Sequence, residues 1–558
     1  MHKKRVLFHS EASYLRSGYS VITKEVLSRL HEKYDVAEFS NYGHRDFPNR
    51  HQIPWTYYGN GCGENWMQPV DEHEAAVYNS TPYNHFGADK IEDALLHFKP
   101  DVYISPLDPW MYMCGLNSPL RNNFKTIIIP TIDASSYNEG WISDYISSDY
   151  VYTYTQFAYN QLKEIKQINL AGICSPGVSN KTFLPVPNKK AHKSSYGLPE
   201  NCKIVGTVMR NQRRKLYPDL FEGFRKYLQL CEEKDKELGR NTYLYIHTSY
   251  PDLGWDLCRL IKEYGLSHKI LTTYICHACG AAHASFFQDV TKVCMNCNQG
   301  ACRMPTTTLG LEEPALNHIY NLFDIYIQCQ SMEGFGIPIV EAASAGVHPM
   351  VVDYSGPEDF KETLKATPTK VKAFYREADS GRQVAVPDTD DIALKLFNVL
   401  SLPEQQLLKM GFDARKGVIT HYTWDKYAKN LEASIDEVPK GWTKPPRITQ
   451  PNLNEPQGLQ DRDFIQWSIV NILGEPDKLN TYFASLLLKD LSTGTSQTFN
   501  DTFLSEETVA STRQIVQVNR DGIKRKLLDM VNKRNMWESR RFDPNYKTPH
   551  WIEKSIQK

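Results

Sequence analysis

Along most of the chain, short apolar runs alternate with stretches of helical period. Residues 101–105 and 126–129 are apolar at most positions, as strands buried on both faces of a sheet tend to be, and residues 5–10 also read as a strand. Residues 18–30 follow a turn and space their apolar side chains as an amphipathic helix does. The pattern pauses at Ser175-Pro-Gly-Val178 and Phe183-Leu-Pro-Val-Pro187. It restarts with apolar runs at 203–209, 242–247, 269–275, 324–328 and 350–353, with helical stretches between, including 312–323. The fold class predicted is α/β: two tandem Rossmann-like domains, each a doubly wound parallel sheet, facing each other across a cleft. The boundaries predicted are 1–185 and 186–437, with a helix near 422–436 crossing back to the first domain. Residues 438–460 read as a Pro-containing linker, and 461–558 as a helical extension.

Composition narrows the class without changing this picture. The chain has 558 residues, 41% hydrophobic and 23% charged, which excludes a disordered or fibrous protein. Lys plus Arg number 64 against 65 for Asp plus Glu, so overall charge makes no case for a nucleic-acid or membrane partner. No apolar run approaches the ~20 residues of a bilayer span. The start of the chain, Met1-His2-Lys3-Lys4-Arg5, lacks the apolar stretch of a secretory signal, and a cytoplasmic location is expected. Of the 12 cysteines, eight are scattered singly and read as small core residues. The other four form C-x2-C-x14-C-x2-C: Cys276, Cys279, Cys294 and Cys297. Two close thiol pairs at this spacing predict a structural zinc ribbon over 275–303, with Phe286 and Phe287 as its core and His277 and His283 as bystanders. Its place after a strand's carboxyl end predicts a knuckle on the cleft side.

The segment with most catalytic character is Glu333-Gly-Phe-Gly-Ile-Pro-Ile-Val-Glu341. A strand feeds a glycine loop and then a helix opened by Pro338. Gly334, Phe335, Gly336 and Ile337 offer backbone N–H groups at a helix start, which suits an anion, while Glu333 and Glu341 suit sugar hydroxyls. After the strand ending at 209 comes Arg210-Asn-Gln-Arg-Arg-Lys215, a cation cluster fit for a diphosphate. Asp133 and Asp108 each follow a strand of the first domain; either one orients a substrate or caps a helix, and Asp133 ranks first. Asp388-Thr-Asp390 precedes an amphipathic stretch at 392–400 and reads as a helix cap rather than a metal site.

Glu333 and Glu341 form an E-x7-E pattern, and with it the chain resembles retaining GT-B glycosyltransferases, glycosyltransferase family 4 in particular, of the phage-encoded kind with a zinc-ribbon insertion. The resemblance runs over roughly residues 5–430. It includes Ser17-Gly18-Tyr19, Ser175-Pro-Gly-Val178, Arg210 with Lys215, the stretch 342–349 and Tyr422-Thr-Trp424. It implies a nucleotide-sugar donor, a UDP-sugar before others, held without a catalytic metal. By the same analogy Glu341 binds the ribose, Glu333 the donor sugar, Arg210 and Lys215 the departing diphosphate, and Gly18 admits that diphosphate. The sequence departs from the family where a histidine is expected, reading Pro130-Thr-Ile-Asp-Ala-Ser-Ser136.

The acceptor is less defined by sequence. A hydroxymethylated base of phage DNA, in the host cytoplasm, is the acceptor expected first. The alternatives are a saccharide, lipid or small-molecule acceptor, or a nucleic-acid-binding protein with a vestigial site. For DNA, phosphate contacts would come from Lys292 and Arg303 of the knuckle and from the basic tail. That tail holds Lys524, Arg525, Lys526, Lys533, Arg534, Arg540 and Arg541, with Trp537 and Phe542 free to stack on a base.

Overall fold

The computed structural model describes residues 3–47, 50–62, 72–135, 139–306, 309–378, 380–439, 451–473, 520–539 and 548–556. Its first sheet is built from β1 (Arg5–Glu11), β2 (Asp35–His44), β3 (Thr56–Gly61), β4 (Val102–Ser105), β5 (Lys125–Ile128), β6 (Tyr150–Thr153) and β7 (Leu170–Ile173). Their order is β3-β2-β1-β4-β5-β6-β7, with every pair parallel. The second sheet comprises β8 (Lys203–Val208), β9 (Thr242–His247), β10 (Ile270–Cys276), β11 (Ala282–Phe286), β12 (Cys302–Arg303), β13 (Ile325–Gln328), β14 (His348–Val352) and β15 (Thr367–Thr369). Its order is β11-β10-β9-β8-β13-β14-β15, with β11 and β12 antiparallel to β10. A hairpin of β16 (Val371–Arg376) and β17 (Gln383–Pro387) stands apart from both. These are two Rossmann-like sheets in a GT-B arrangement. In each, strand order reverses beside the first strand, between β1 and β4 and between β8 and β13. Ligands of open parallel sheets collect at such points, outside the carboxyl ends of the strands.

The apolar runs became the central strands, with Val6, Leu7, Phe8, Ile104, Ile127, Ile204, Val205 and Ile327 all buried. Strands β2 and β3 were not predicted, because their buried positions include polar residues. Glu38 is fully buried on β2 and is satisfied there. It accepts from Ser13 N (2.8 Å), Ser13 Oγ (2.9 Å), Ser40 Oγ (2.7 Å) and Trp55 Nε1 (2.8 Å).

The two sheets are tied by the returning helix Trp424–Glu437, capped by Thr423. It buries Trp424, Tyr427, Leu431 and Ile435, each contributing roughly 1.5–3 kcal/mol of apolar transfer. Tyr152 Oη donates to Asn430 O at 2.9 Å, and Tyr34 Oη to Asp436 at 2.8 Å, fixing the helix on the first domain. The Ser175-Pro-Gly-Val178 turn meets the start of this helix, with Val178 N donating to Tyr422 O at 3.1 Å. Asp388 caps the helix Thr389–Leu400 through Asp390 N and Asp391 N, so that acid is spent as a cap. No helix among the described residues is long and apolar enough to cross a membrane.

Helices Arg520–Ser539 and His550–Ile556 lie against the first domain. Trp537 is buried beside Phe124, and the Trp551 ring meets Tyr58 while its Nε1 donates to Asp93 at 3.1 Å. Lys533 pairs with Glu92, Lys524 with Glu455, and Arg534 donates to Pro119 O. Trp537 is therefore a core residue rather than a stacking platform, and these cations are bound within the chain. Arg540, Arg541 and Phe542 lie outside the described residues, as do 440–450 of the linker. Trp537→Ala is expected to cost roughly 3–5 kcal/mol, the usual loss for a buried Trp, read as a lower urea midpoint; an unchanged midpoint would mean the tail does not depend on this contact.

Candidate functional site

At the switch points two helix starts face each other. In the first domain Ser17 caps the helix Gly18–Lys33, its hydroxyl accepting from Ser20 N and donating to the buried Glu11. In the second, Gly336 caps the helix Ile337–Ser344 with φ 98°, a left-handed conformation that a side chain would resist. A Cβ placed on Gly18 would lie 3.6 Å from Ile337 Cδ1, and one on Gly334 would lie 2.4 Å from Thr131 Cγ2. Gly334 thus lets the domains approach to contact, while at Gly18 a side chain's Cβ would meet Ile337 at ordinary contact distance, and two positive helix ends point into one slot. A separate cavity of about 230 Å³, lined by Asp359, His421 and Asn430 among others, lies where the returning helix leaves the second domain; it is not this slot.

Glu333 sits in the slot under converging cations. Lys215 pairs with its Oε2, Arg214 Nη1 approaches the same oxygen at 3.3 Å, and Gln328 Nε2 donates to it at 3.0 Å. Ser355, with φ 59°, presents its Oγ to Glu333 N at 3.0 Å and so fixes the loop. Burial raises the Glu333 pKa, but Lys215 and Arg214 outweigh it and hold the carboxyl down at about 2. Burial pushes Lys215 down to about 8 against the pull of Glu333. Both remain charged at pH 7. Glu341, one helical turn in, is buried and accepts from Tyr320 Oη at 2.6 Å; burial raises it to about 7.

The other expected residues scatter around this centre. Lys215 reaches it, whereas Arg210 is half-exposed and held by Asp252 at 2.8 and 3.1 Å. Arg214, part of the same basic run and not singled out by sequence, stands with Lys215 beside Glu333. Asp133 faces the slot but caps nothing; it forms an ion pair with Arg382 at 3.0 Å. Arg382 belongs to the β16–β17 hairpin, which also meets the first domain through a bridge between Ser135 and Gln383. No sequence signal linked positions so distant along the chain.

The cysteine segment lies two strands out from the switch point, at the end of β10. Cys276 and Cys297 sulfurs lie 3.6 Å apart, and those of Cys279 and Cys294 lie 3.7 Å apart. All four fall within 4.8 Å of one another. A tetrahedron with metal–sulfur bonds of about 2.3 Å has edges of about 3.8 Å, so the spacing fits a four-thiolate ion. Cys302 is buried in the core of the second domain, as expected of a scattered cysteine, and also joins His283 and Cys294 in a second possible ligand group, with His283 Nε2 3.2 Å from Cys294 Sγ. One reading needs correction. Phe286 and Phe287 do not form a separate ribbon core; Phe287 packs on Tyr250 and, with Cys276, Cys294 and Cys302, belongs to the core of the second domain. Lys292 is occupied over the Tyr274 ring and by Ser285 Oγ at 2.6 Å.

No protein-family model matches the chain, and no curated protein matches it by sequence. Solved structures match by fold. The sucrose-phosphate synthase of Thermosynechococcus elongatus aligns with a TM-score of 0.54 at 11% identity, over 78% of this chain and 99% of that one. The Anabaena protein HepE, in complex with UDP and glucose, aligns at 0.52 and 11% identity, over 78% of this chain and 100% of that one. A glycosyltransferase from Rickettsia africae aligns at 0.51 and 16% identity, over 78% of this chain and 99% of that one. At these identities the likeness is one of fold.

Glu333→Gln leaves Lys215 and Arg214 without their counter-charge, and is expected to cost about 3–5 kcal/mol at pH 7. A carboxyl lowered on folding stabilises above its unfolded value of 4.5, and that stability fades as pH falls toward about 2. Urea midpoints of wild type and variant should therefore converge between those values; a constant gap would refute the ion pair.

Proposed function

We propose that the chain is a glycosyltransferase that moves a sugar from a nucleotide-sugar, a UDP-sugar first, to a hydroxyl acceptor. The observation that carries this is Glu333, held as an anion by Lys215 and Arg214 where two helix starts meet. A diphosphate fits those N–H groups and cations. Among the described residues no donor reaches Glu333 Oε1, which is left for a sugar hydroxyl. In this reading residues 1–185 hold the acceptor and residues 186–437 the donor. Glu341 takes the ribose, Gly18 and the backbone of Gly334, Phe335, Gly336 and Ile337 admit the diphosphate, and Arg210 and Lys215 neutralise it. As the anomeric carbon gains positive character, charge grows on the leaving phosphate, and fixed cations and dipoles there favour the transition state over the ground state.

That HepE binds UDP and glucose on this fold supports the donor class. Support for a DNA base as acceptor is weaker, because Trp537 and the tail cations nearest it are engaged within the chain. A saccharide or small-molecule acceptor is the reading we carry forward. The deciding experiment offers UDP-sugars with a panel of saccharides and hydroxymethylated DNA, and reads transfer by mass spectrometry. The anomeric configuration of the product, retained by the family resemblance, follows from NMR of the same product. Transfer to DNA would fall steeply with salt, and transfer to a neutral saccharide would not. UDP release with no acceptor modified, or no UDP binding at all, would count against the reading.

Glu341→Ala is expected chiefly to weaken UDP-sugar binding, and Lys215→Ala to lower kcat by about 10²–10³; titration calorimetry with UDP and steady-state rates separate the two. Wild-type turnover in both variants would show that the donor lies elsewhere.

We propose further that Cys276, Cys279, Cys294 and Cys297 hold one zinc ion as a structural staple, its shell closed by four thiolates. Metal analysis should give about one zinc per chain. Because Cys276 and Cys294 sit in the core of the second domain, Cys294→Ser should lower the stability of that whole domain, not only loosen a surface loop. A variant without zinc but with an unchanged urea midpoint would show the staple to be dispensable.

A further inference from the structure

We propose that Tyr42 and Trp110 form the acceptor platform of the first domain, two exposed rings on which a neutral saccharide stacks; this rests on the transferase reading above. Both stand on the cleft side of the sheet, Tyr42 near the end of β2 and Trp110 in the helix Pro109–Leu116 that follows β4. Tyr42 is 41% exposed and Trp110 39%, and Trp110 is the one exposed residue of its helix. Phe86 meets Tyr42 edge-on, ring centres 6.1 Å apart, and Trp141 lies 5.6 Å from Trp110. The two pairs are joined. Cys114, one turn beyond Trp110 on the same helix face, donates from Sγ to Phe86 O at 3.3 Å, and Phe86 and Trp141 pack on one core cluster.

Tyr42 is held in a conformation that suits a tyrosine poorly. Its φ of 60° is left-handed, the region that favours glycine. It lies in a bulge: between the pairs Ser40–Gly59 and His44–Gly61, β2 carries two residues more than β3. Close packing fixes that bulge, since a Cβ on Gly61 would lie 2.5 Å from Tyr42 O and one on Gly43 2.3 Å from Tyr57 Oη. A strained residue whose ring stays half in solvent gains little core burial; what the bulge does is aim the ring. The aim is toward the donor. Asn41, the neighbour of Tyr42, stands in register with Glu11, whose carboxylate accepts from Ser17 at the start of the helix Gly18–Lys33.

Charge selects the occupant. Glu11 and Asp108 stand at the carboxyl ends of β1 and β4, and Asp108 makes no capping bond to its helix. Arg16 and Arg45, from the loops after β1 and β2, are taken by Glu312 at 2.6 Å and Glu74 at 2.8 Å. An acidic edge with its arginines engaged opposes a phosphodiester and offers acceptors to hydroxyls. A pyranose matches both features, with C–H bonds on one face for a ring and hydroxyls at its rim for the carboxylates. A lipid chain would leave those carboxylates unmet.

The test offers UDP-glucose, UDP-galactose and UDP-N-acetylglucosamine in turn with maltose, cellobiose, lactose and duplex DNA containing hydroxymethylcytosine, and reads products by mass spectrometry. A neutral disaccharide should be modified and the DNA should not. With donor saturating, Trp110→Ala and Tyr42→Gly should each raise the KM for that disaccharide about tenfold, leaving kcat and UDP affinity within about twofold, because a stacking ring contributes uniform binding. Trp110→Phe, which keeps a ring, should stay near the wild-type KM. Tyr42→Gly also removes the strain, so its urea midpoint should equal or exceed that of wild type. A lower midpoint with unchanged KM would assign the ring to packing and overturn the proposal, as would an unchanged KM in Trp110→Ala. Transfer to DNA alone, or to no acceptor by a protein that binds UDP, would overturn the saccharide platform and leave the donor reading standing. Wild-type protein that binds no UDP would overturn both.

Discussion

The site depends on keeping Glu333 ionised inside protein. An uncompensated carboxylate at that depth would take up a proton, and the loop that carries it would lose its anchor. Two cations from the loop after β8 prevent this, and they reach Glu333 because β8 and β13 are neighbours at the switch point of the second sheet. Strand order is therefore the origin of the site's electrostatics. It also explains why the first domain can close so tightly on the loop. With its charge matched from below, Glu333 needs no water on that side, and Gly334 can lie against Thr131.

Much of this was legible in sequence, and what was legible shares one physical basis. Central parallel strands are buried on both faces, so their apolar runs show, as at 126–129 and 203–209. The glycine loop and Pro338 mark a helix start by local chemistry alone, and the cysteine spacing marks a cluster without any fold. Strands β2 and β3 stayed hidden because buried positions such as Glu38, Ser40 and Asn60 are polar, with Glu38 and the Asn60 amide nitrogen finding partners elsewhere in the chain. The tail misled for the opposite reason. Its cations and aromatics look like a nucleic-acid surface when counted, and only tertiary contact shows Trp537 against Phe124 and Lys533 against Glu92.

The site residues that sequence did not single out or could not tell apart are those defined by a long-range partner. Asp133 and Asp108 are alike in sequence, each just beyond a strand. Arg382 separates them by neutralising one, and it arrives on a hairpin whose strand β16 is largely exposed and carries no motif. Arg214 and Arg210 are likewise two arginines of one basic run. Asp252 holds the first-numbered of them at the rim, so the other stands beside Glu333.

Charge balance adds a constraint on how the slot must work. Glu333, Asp133 and an ionised Asp108 set three negative charges against Arg214, Lys215 and Arg382. A nucleotide diphosphate brings about two more, at the helix starts, and Lys215 and Arg214, already paired with Glu333, meet them only in part. The helix ends supply roughly half a charge each. The remainder has a ready source in Arg210, which stands at the rim on Asp252 and whose field reaches Glu11 in the first domain. Arg210 is half-exposed while the Asp252 side chain is buried, and Asp252 would keep Ser249 Oγ and Leu253 N as partners if Arg210 turned to a phosphate.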